Sequence, residues 1–99
     1  METDKKEYIA KMARDLREWT KTIEAYKVRA SRGPIYLQAD YEQSIQNLQE
    51  KRDLLSGKLR ELQGSAGDAW TTMEAGVETA KHELRDAFGA AREAVKKAA

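Results

Sequence analysis

The stretch Ser31–Tyr36, SRGPIY, decides the fold because it holds the only proline in a chain of 99 residues. Inside a helix, proline lacks a hydrogen-bond donor and clashes with the preceding turn, but at the first helical position it is tolerated and presets φ. Gly33 suits either the end of one helix or the N-cap of the next. The pair Gly33–Pro34 therefore predicts a stop, a start and a chain reversal. The alternative is a kinked rod whose first two helices are roughly collinear and pair with another chain.

Before this stretch, apolar residues recur at alternating steps of three and four, which is the a/d pattern of a coiled-coil seam. The seam residues are Ile9, Met12, Leu16, Trp19, Ile23, Tyr26 and Ala30. Charged side chains fill most positions between them. A first helix from Lys5 to Arg32 is predicted, and its apolar stripe requires a partner helix.

After the stretch, a second helix is predicted from Pro34 to Gln63 with the same period. Its seam residues are Tyr41, Ile45, Leu48, Leu55, Leu59 and Leu62. Arg52 occupies one seam position, where its long side chain reaches out to solvent. Gly57 lowers helix propensity, and we interpret it as the place where a neighbouring helix comes close to the second helix.

The segment LQGSAGDAW, residues 62–70, predicts a second break. Gly64 suits the position after a helix C-terminus, and Ser65 with Asp68 resembles a capping box. A third helix is therefore predicted from Ser65 to Lys96. Its seam is formed by Trp70, Met73, Val77, Ala80, Leu84, Ala87 or Phe88, Ala91, and Ala94 or Val95.

Three segments of similar length joined by short loops predict an all-α fold, an antiparallel up-down-up bundle with coiled-coil-type packing. We expect one domain over residues 1–99. Counting equally from the first turn places Tyr26 opposite Tyr41, and Trp19 opposite Leu48.

The composition limits the function. With 40% hydrophobic and 35% charged residues, the chain fills narrow seams between helices and leaves no roomy substrate pocket. It has no cysteine, and its 18 basic and 17 acidic residues give a net charge of +1, which does not attract nucleic acid. Glycine-rich phosphate loops and nucleophile elbows are absent. We predict a protein that is not an enzyme and has no catalytic residue, no cofactor and no metal.

The sequence also predicts location. No apolar run approaches the roughly 18 residues of a membrane span, and the N-terminal METDKKEYIA is charged rather than apolar. We expect a soluble, cytoplasmic protein.

Glu74, Glu78, His82 and Asp86 lie four residues apart on one stripe of the third helix. Carboxylates and imidazole at this spacing bind divalent metals in some proteins. However, bundle metal sites draw ligands from several helices facing an interior, and this chain has a single histidine. We interpret the stripe as a solvated face that points outward.

The aromatic residues have two interpretations, core packing and partner binding. Trp19, Trp70, Tyr26 and Tyr41 lie on predicted seams and are assigned to the core. Tyr8 and Tyr36 lie off the seams and are expected to be freer to contact a partner. The basic segment KVRASR, residues 27–32, is diluted by acidic residues elsewhere in the first helix, so nucleic-acid binding is not expected.

Self-association as a dimer is predicted, because Leu37, Leu54 and Phe88 lie off the main seams and symmetric dimers are the commonest oligomers.

Two functional classes remain. The first is a structural or interaction module that presents helical faces to a protein partner. The second is a reversible lipid-surface binder of apolipoprotein-like type, whose bundle opens to lay apolar stripes on a membrane.

Three segments carry a resemblance over nearly the whole chain: EYIAKMARDLREW, DYEQSIQNLQEKRD, and GDAWTTMEAGVETAKHEL followed by DAF. With these, the chain resembles small bacterial coiled-coil proteins known as stress-response proteins of unknown mechanism. The resemblance implies a bacterial protein without catalytic residues to carry over. The SRGP stretch departs from that group, whose members have alanine and charged residues at this place and no helix-breaking pair. The turn is therefore better defined in this chain.

Overall fold

The computed structural model describes the backbone of residues 2–98 and the side chains of residues 4–94 and 96. It contains three helices, α1 (Glu2–Ser31), α2 (Ile35–Gln63) and α3 (Ala69–Ala98), and no strand within the described backbone. The predicted all-α three-helix bundle is confirmed. Its dimensions of 51 × 18 × 16 Å fit three helices of about 45 Å lying side by side. The predicted seam position at Val95 lies outside the described side chains.

The SRGPIY turn reverses the chain, so the kinked rod is wrong. Pro34 is the N-cap of α2 rather than its first helical residue, with φ −58° and ψ 142°. The end of α1 is closed by a bond from the Gly33 N–H to the Ala30 carbonyl (3.1 Å), and α2 starts with a bond from the Leu37 N–H to the Pro34 carbonyl (3.0 Å). Pro34 therefore stands where its missing N–H costs nothing.

The second turn differs from its prediction, because Ser65 does not begin α3. Its hydroxyl donates to the Leu62 carbonyl at 2.8 Å and so belongs to the end of α2. Gly67 then adopts φ +60°, a conformation that glycine takes without steric cost. The Trp70 N–H donates to the Gly67 carbonyl at 3.2 Å. The reversal thus uses four more residues than the capping pattern indicates, and α3 begins at Ala69.

The register of α1 and α3 follows from their ring contacts. Tyr8 contacts Trp70, and Tyr26 contacts Phe88, and in both pairs the α3 residue stands 62 positions later in the chain. The two helices therefore run parallel with one constant offset.

The register of α2 and α3 follows in the same way. Lys51 pairs with Glu83, and Lys58 lies against Gly76, and in both pairs the residue numbers add to 134. Facing positions of α1 and α2 consequently add to about 72, whereas equal counting from the turn gives 67.

The predicted facing pairs, Tyr26 with Tyr41 and Trp19 with Leu48, are therefore displaced by about five residues, more than one helical turn. Equal counting assumed that both helices end at the same level. In the structure the first turn of α2 projects past the end of α1.

The core confirms the predicted seams in α2 and α3. The buried residues are Met12, Ile23, Ala30, Tyr41, Ile45, Leu48, Leu55, Leu59, Leu62, Val77, Ala80, Leu84, Ala87, Phe88 and Ala91. Two expectations are corrected. Phe88 was given both as a seam position and as an off-seam residue that favours a dimer, and its burial confirms only the seam position. Apart from the adjacent backbone of α2 itself, no atom lies within 4 Å of a Cβ built on Gly57, and the close approach occurs at Gly76, where such a Cβ would lie 3.7 Å from Lys58 Cδ.

Candidate functional site

The bundle is open on one side. α2 packs along both neighbours, whereas α1 and α3 meet at few positions. The gap leaves a groove of about 300 Å³ between α1 and α3, which we call the α1–α3 groove. It is lined by Trp19, Thr22, Tyr26, Arg85, Phe88 and Arg92.

The floor of the α1–α3 groove is aromatic. The rings of Tyr26 and Phe88 meet edge to face, with centroids 6.2 Å apart and planes at 71°. Trp19 lies half-buried beside them. The seam prediction placed Trp19 and Tyr26 in the core, and the structure leaves part of each on the groove surface because α1 receives little cover from α3.

The rim of the groove carries two arginines from α3. Arg85 and Arg92 are both exposed and stand seven residues apart, which is about 10 Å along a helix. Within the described residues neither arginine forms an ion pair or a hydrogen bond with a side chain. Guanidinium groups bind carboxylates through paired hydrogen bonds, so this rim is suited to an acidic ligand.

Arg85 and Arg92 were not among the residues that the sequence patterns singled out. Their spacing of two helical turns on either side of Phe88 was visible in the sequence. The sequence did not show that the bundle is open between α1 and α3. This opening places both arginines on the rim of a groove.

At the opposite end of the bundle, α1 and α3 are joined by a small polar and aromatic cluster. Tyr8 packs edge to face on Trp70, with centroids 6.3 Å apart, and its hydroxyl donates to Glu78 Oε2 at 2.5 Å. Lys5 Nζ lies 5.0 Å from the centre of the Trp70 ring, a distance typical of a cation–π contact. Tyr8 is therefore a contact within the chain, and its predicted freedom to bind a partner is wrong.

The pKa values of the Tyr8–Glu78 pair move in opposite directions. Burial, followed by the hydrogen bond to Glu78, raises the pKa of the Tyr8 hydroxyl. The hydrogen bond from Tyr8 lowers the pKa of the Glu78 carboxyl, and Lys81 adds to that effect. Both shifts favour the state in which the phenol is neutral and the carboxylate is charged, so the pair is a structural contact between helices.

The predicted polar stripe of α3 is split by the fold. Glu74 and Glu78 are half-buried, with Glu74 accepting a hydrogen bond from Trp70 Nε1 at 3.1 Å, while His82 and Asp86 are exposed. The expectation that the whole stripe faces outward is thus wrong for its first two carboxylates. Among the described residues, no three acidic, histidine or cysteine side chains are arranged to hold a metal ion.

No protein-family model, no curated protein and no solved structure matches this chain. The resemblance to bacterial stress-response coiled-coil proteins therefore stays a prediction. Across the described part of the chain, none of the three helices combines the length and apolarity needed to cross a bilayer.

Proposed function

We propose that this protein is a non-enzymatic helical interaction module whose α1–α3 groove binds an acidic amphipathic helix of a partner protein. The observation that carries the proposal is the pairing of an aromatic floor, formed by Tyr26 and Phe88, with two unpaired arginines on the rim. Aromatic and arginine side chains dominate the binding energy of many protein interfaces.

A helix is the occupant that fits the groove best. The groove lies between two parallel helices, and an amphipathic helix buries its apolar face in such a channel. Because Arg85 and Arg92 are two turns apart, two carboxylates at the same spacing on a bound helix reach both of them. Apolar residues midway between those carboxylates lie over Phe88.

The rest of the described surface supports binding rather than catalysis. Enzyme sites gather titratable groups with shifted pKa values in a cleft, and here the shifted pair, Tyr8 and Glu78, joins two helices instead. A role in bacterial stress response and a cytoplasmic location complete the proposal, and both rest on the sequence alone. The lipid alternative has less support, because residues 64–99 carry five basic and six acidic residues, whereas the polar face of a helix that binds anionic lipid is usually rich in lysine and arginine.

The test is a peptide titration. A labelled helical peptide with two glutamates seven residues apart and leucines between them is titrated with the protein and followed by fluorescence anisotropy. We expect saturable binding that weakens about tenfold in the R85Q/R92Q variant, since each exposed ion pair contributes up to about 1 kcal/mol. The control variant R14Q/R60Q removes two exposed arginines elsewhere and should bind as the wild type does.

A peptide with lysines in place of the glutamates should not bind. Equal affinity for the two peptides, or equal loss in both arginine variants, would overturn the proposal. Light scattering gives a further outcome. A dimer that dissociates in R85Q/R92Q would show that a second copy fills the groove, in place of a partner helix.

A further inference from the structure

The bundle end at the first turn carries a concentrated positive charge. From Ala25 to Ala39 the sequence holds Lys27, Arg29 and Arg32 and no acidic residue. All three cations are exposed, and Lys27 Nζ lies 4.0 Å from Oε1 of Glu24 on the same helix. We call residues 27–36 the basic tip.

The basic tip also exposes apolar side chains. Ile35 and Tyr36 are 85% and 81% exposed, the highest values among the exposed large hydrophobic residues of the described chain. Their exposure follows from the register, because the first turn of α2 projects past the end of α1. Both residues follow Arg32 within four positions of the chain, so cationic and apolar groups share one end of the molecule.

We propose that the basic tip docks this protein on an anionic lipid bilayer, with the bundle intact and its long axis pointing away from the membrane. Ile35 and Tyr36 enter the interfacial region, and Arg29 and Arg32 contact lipid phosphates. This mode differs from the opened, flat-lying bundle considered from the sequence, and it is independent of the α1–α3 groove.

The chemistry of the tip favours a bilayer over a protein. A stable protein interface buries about 800 Å² on each partner, far more than two side chains at the end of a narrow bundle supply. Reversible membrane docking instead combines a small apolar insertion with a few basic residues near anionic headgroups. Tyrosine is enriched at the headgroup level because its ring is apolar and its hydroxyl is polar.

Acidic side chains of all three helices stand near the basic tip, and Glu24 of α1 pairs with Lys27 at 4.0 Å. Asp40 and Glu42 of α2 lie one turn or more beyond Tyr36 in the chain. Glu93 of α3 stands between Arg92 and Lys96. Within the described residues Arg29 and Arg32 form no ion pair with a carboxylate, so both remain available to lipid phosphates.

The first experiment is co-sedimentation with vesicles of phosphatidylcholine containing about one third phosphatidylglycerol. We expect the intact protein to sediment with these vesicles and not with pure phosphatidylcholine. The apolar variant I35S/Y36S and the charge variant R29Q/R32Q should each bind about tenfold more weakly. The matched controls are L54S, at a site 44% exposed on the middle of α2, and K6Q/K11Q, near the other end of α1. Both controls should bind as the wild type does.

A second experiment locates the contact directly. Because the chain has no cysteine, the I35C and L54C variants each accept a single environment-sensitive fluorophore. We expect the label at position 35 to shift to the blue on anionic vesicles and the label at position 54 to stay unchanged. Near-ultraviolet circular dichroism should keep its aromatic signal on binding, since Trp19 and Trp70 remain packed in a closed bundle.

Several results would overturn the proposal. One is failure of the wild-type protein to sediment with the anionic vesicles at low salt. A second is an equal loss of binding in K6Q/K11Q and R29Q/R32Q, which would mean diffuse electrostatic attraction. A blue shift at both labels with loss of the aromatic signal would establish the opened bundle instead. If I35S/Y36S changes the mass measured by sedimentation velocity without lipid, the tip joins two copies of the chain.

Discussion

At the scale of single residues, two glycines have opposite roles that the sequence does not distinguish. Gly57 lies inside α2 with no atom within 4 Å of the position that a Cβ would occupy, whereas Gly67 adopts φ +60° in the second turn. We expect G57A to raise the free energy of unfolding by up to about 1 kcal/mol, because alanine is the better helix former. G67A should lower it by about 1 kcal/mol, because alanine is strained at positive φ. Urea unfolding of both variants measures the contrast, and destabilisation by G57A would contradict the open space at that site.

Tyr41 carries a polar hydroxyl group in the apolar core. It is 2% exposed, and its hydroxyl has no hydrogen-bond partner within the described residues. A buried polar group without a partner keeps its desolvation cost. We therefore expect Y41F to leave the free energy of unfolding unchanged or raise it by about 1 kcal/mol. A loss of similar size in thermal or urea unfolding would mean that the hydroxyl is satisfied in solution.

The Tyr8–Glu78 bond predicts a pH-dependent contribution to stability. Because the folded state lowers the pKa of Glu78 from its ordinary 4.5, the stabilisation is present above that value and is lost as the pH falls through the lower folded-state pKa. We expect Y8F to cost about 1 kcal/mol at neutral pH and progressively less in acid. Urea unfolding across this range checks the trend.

The matched control for this pair is Y36F, which removes an equivalent hydroxyl from a residue 81% exposed. Y36F should leave stability unchanged at every pH. A cost of Y8F that does not vary with pH would contradict the hydrogen bond to Glu78 as its cause. The loss would then be assigned to a change in how the ring packs on Trp70.

At the scale of elements, the first turn is held by more than its proline. Ser31 Oγ donates to the Val28 carbonyl at 2.7 Å, and Gln38 Nε2 donates to the Gly33 carbonyl at 3.4 Å. We expect P34A to lower the free energy of unfolding by less than about 1 kcal/mol, chiefly by adding freedom to the unfolded chain. P34G should cost more for the same reason. Size-exclusion chromatography should show no change in oligomeric state. A larger, elongated species in P34A would show that proline alone prevents a continuous helix.

The two turns show how far local sequence patterns determine element boundaries. Gly33–Pro34 predicted the first turn to within one residue, because proline restricts its own backbone whatever surrounds it. Ser65 with Asp68 predicted the start of α3 four residues too early. A serine two residues after a helix end can either cap the next helix or donate to a carbonyl of the helix before it. Here the Ser65 hydroxyl donates to the Leu62 carbonyl. The capping pattern in the sequence does not show which of these two bonds the serine forms.

At the scale of the whole molecule, the structure predicts a short and narrow particle. The Cα radius of gyration is 15.7 Å, and small-angle scattering of the monomer should give a value close to it. A kinked rod would instead be about 90 Å long. The predicted dimer rested partly on Phe88, which is buried, while Leu54 is 44% exposed. Scattering at rising concentration tests it, since a mass that stays at 11.2 kDa would contradict the dimer.

Patterns in the sequence were enough to predict the three helices, their first reversal and the seam residues of α2 and α3. Helical period and proline chemistry are local properties, and they hold in any tertiary setting. Only the three-dimensional structure showed the register, the open side between α1 and α3, and the contacts that Tyr8 makes with Trp70 and Glu78. These depend on where one helix ends relative to another. Such relative positions are set by contacts between residues up to 70 positions apart, and the local period of a helix contains no information about them.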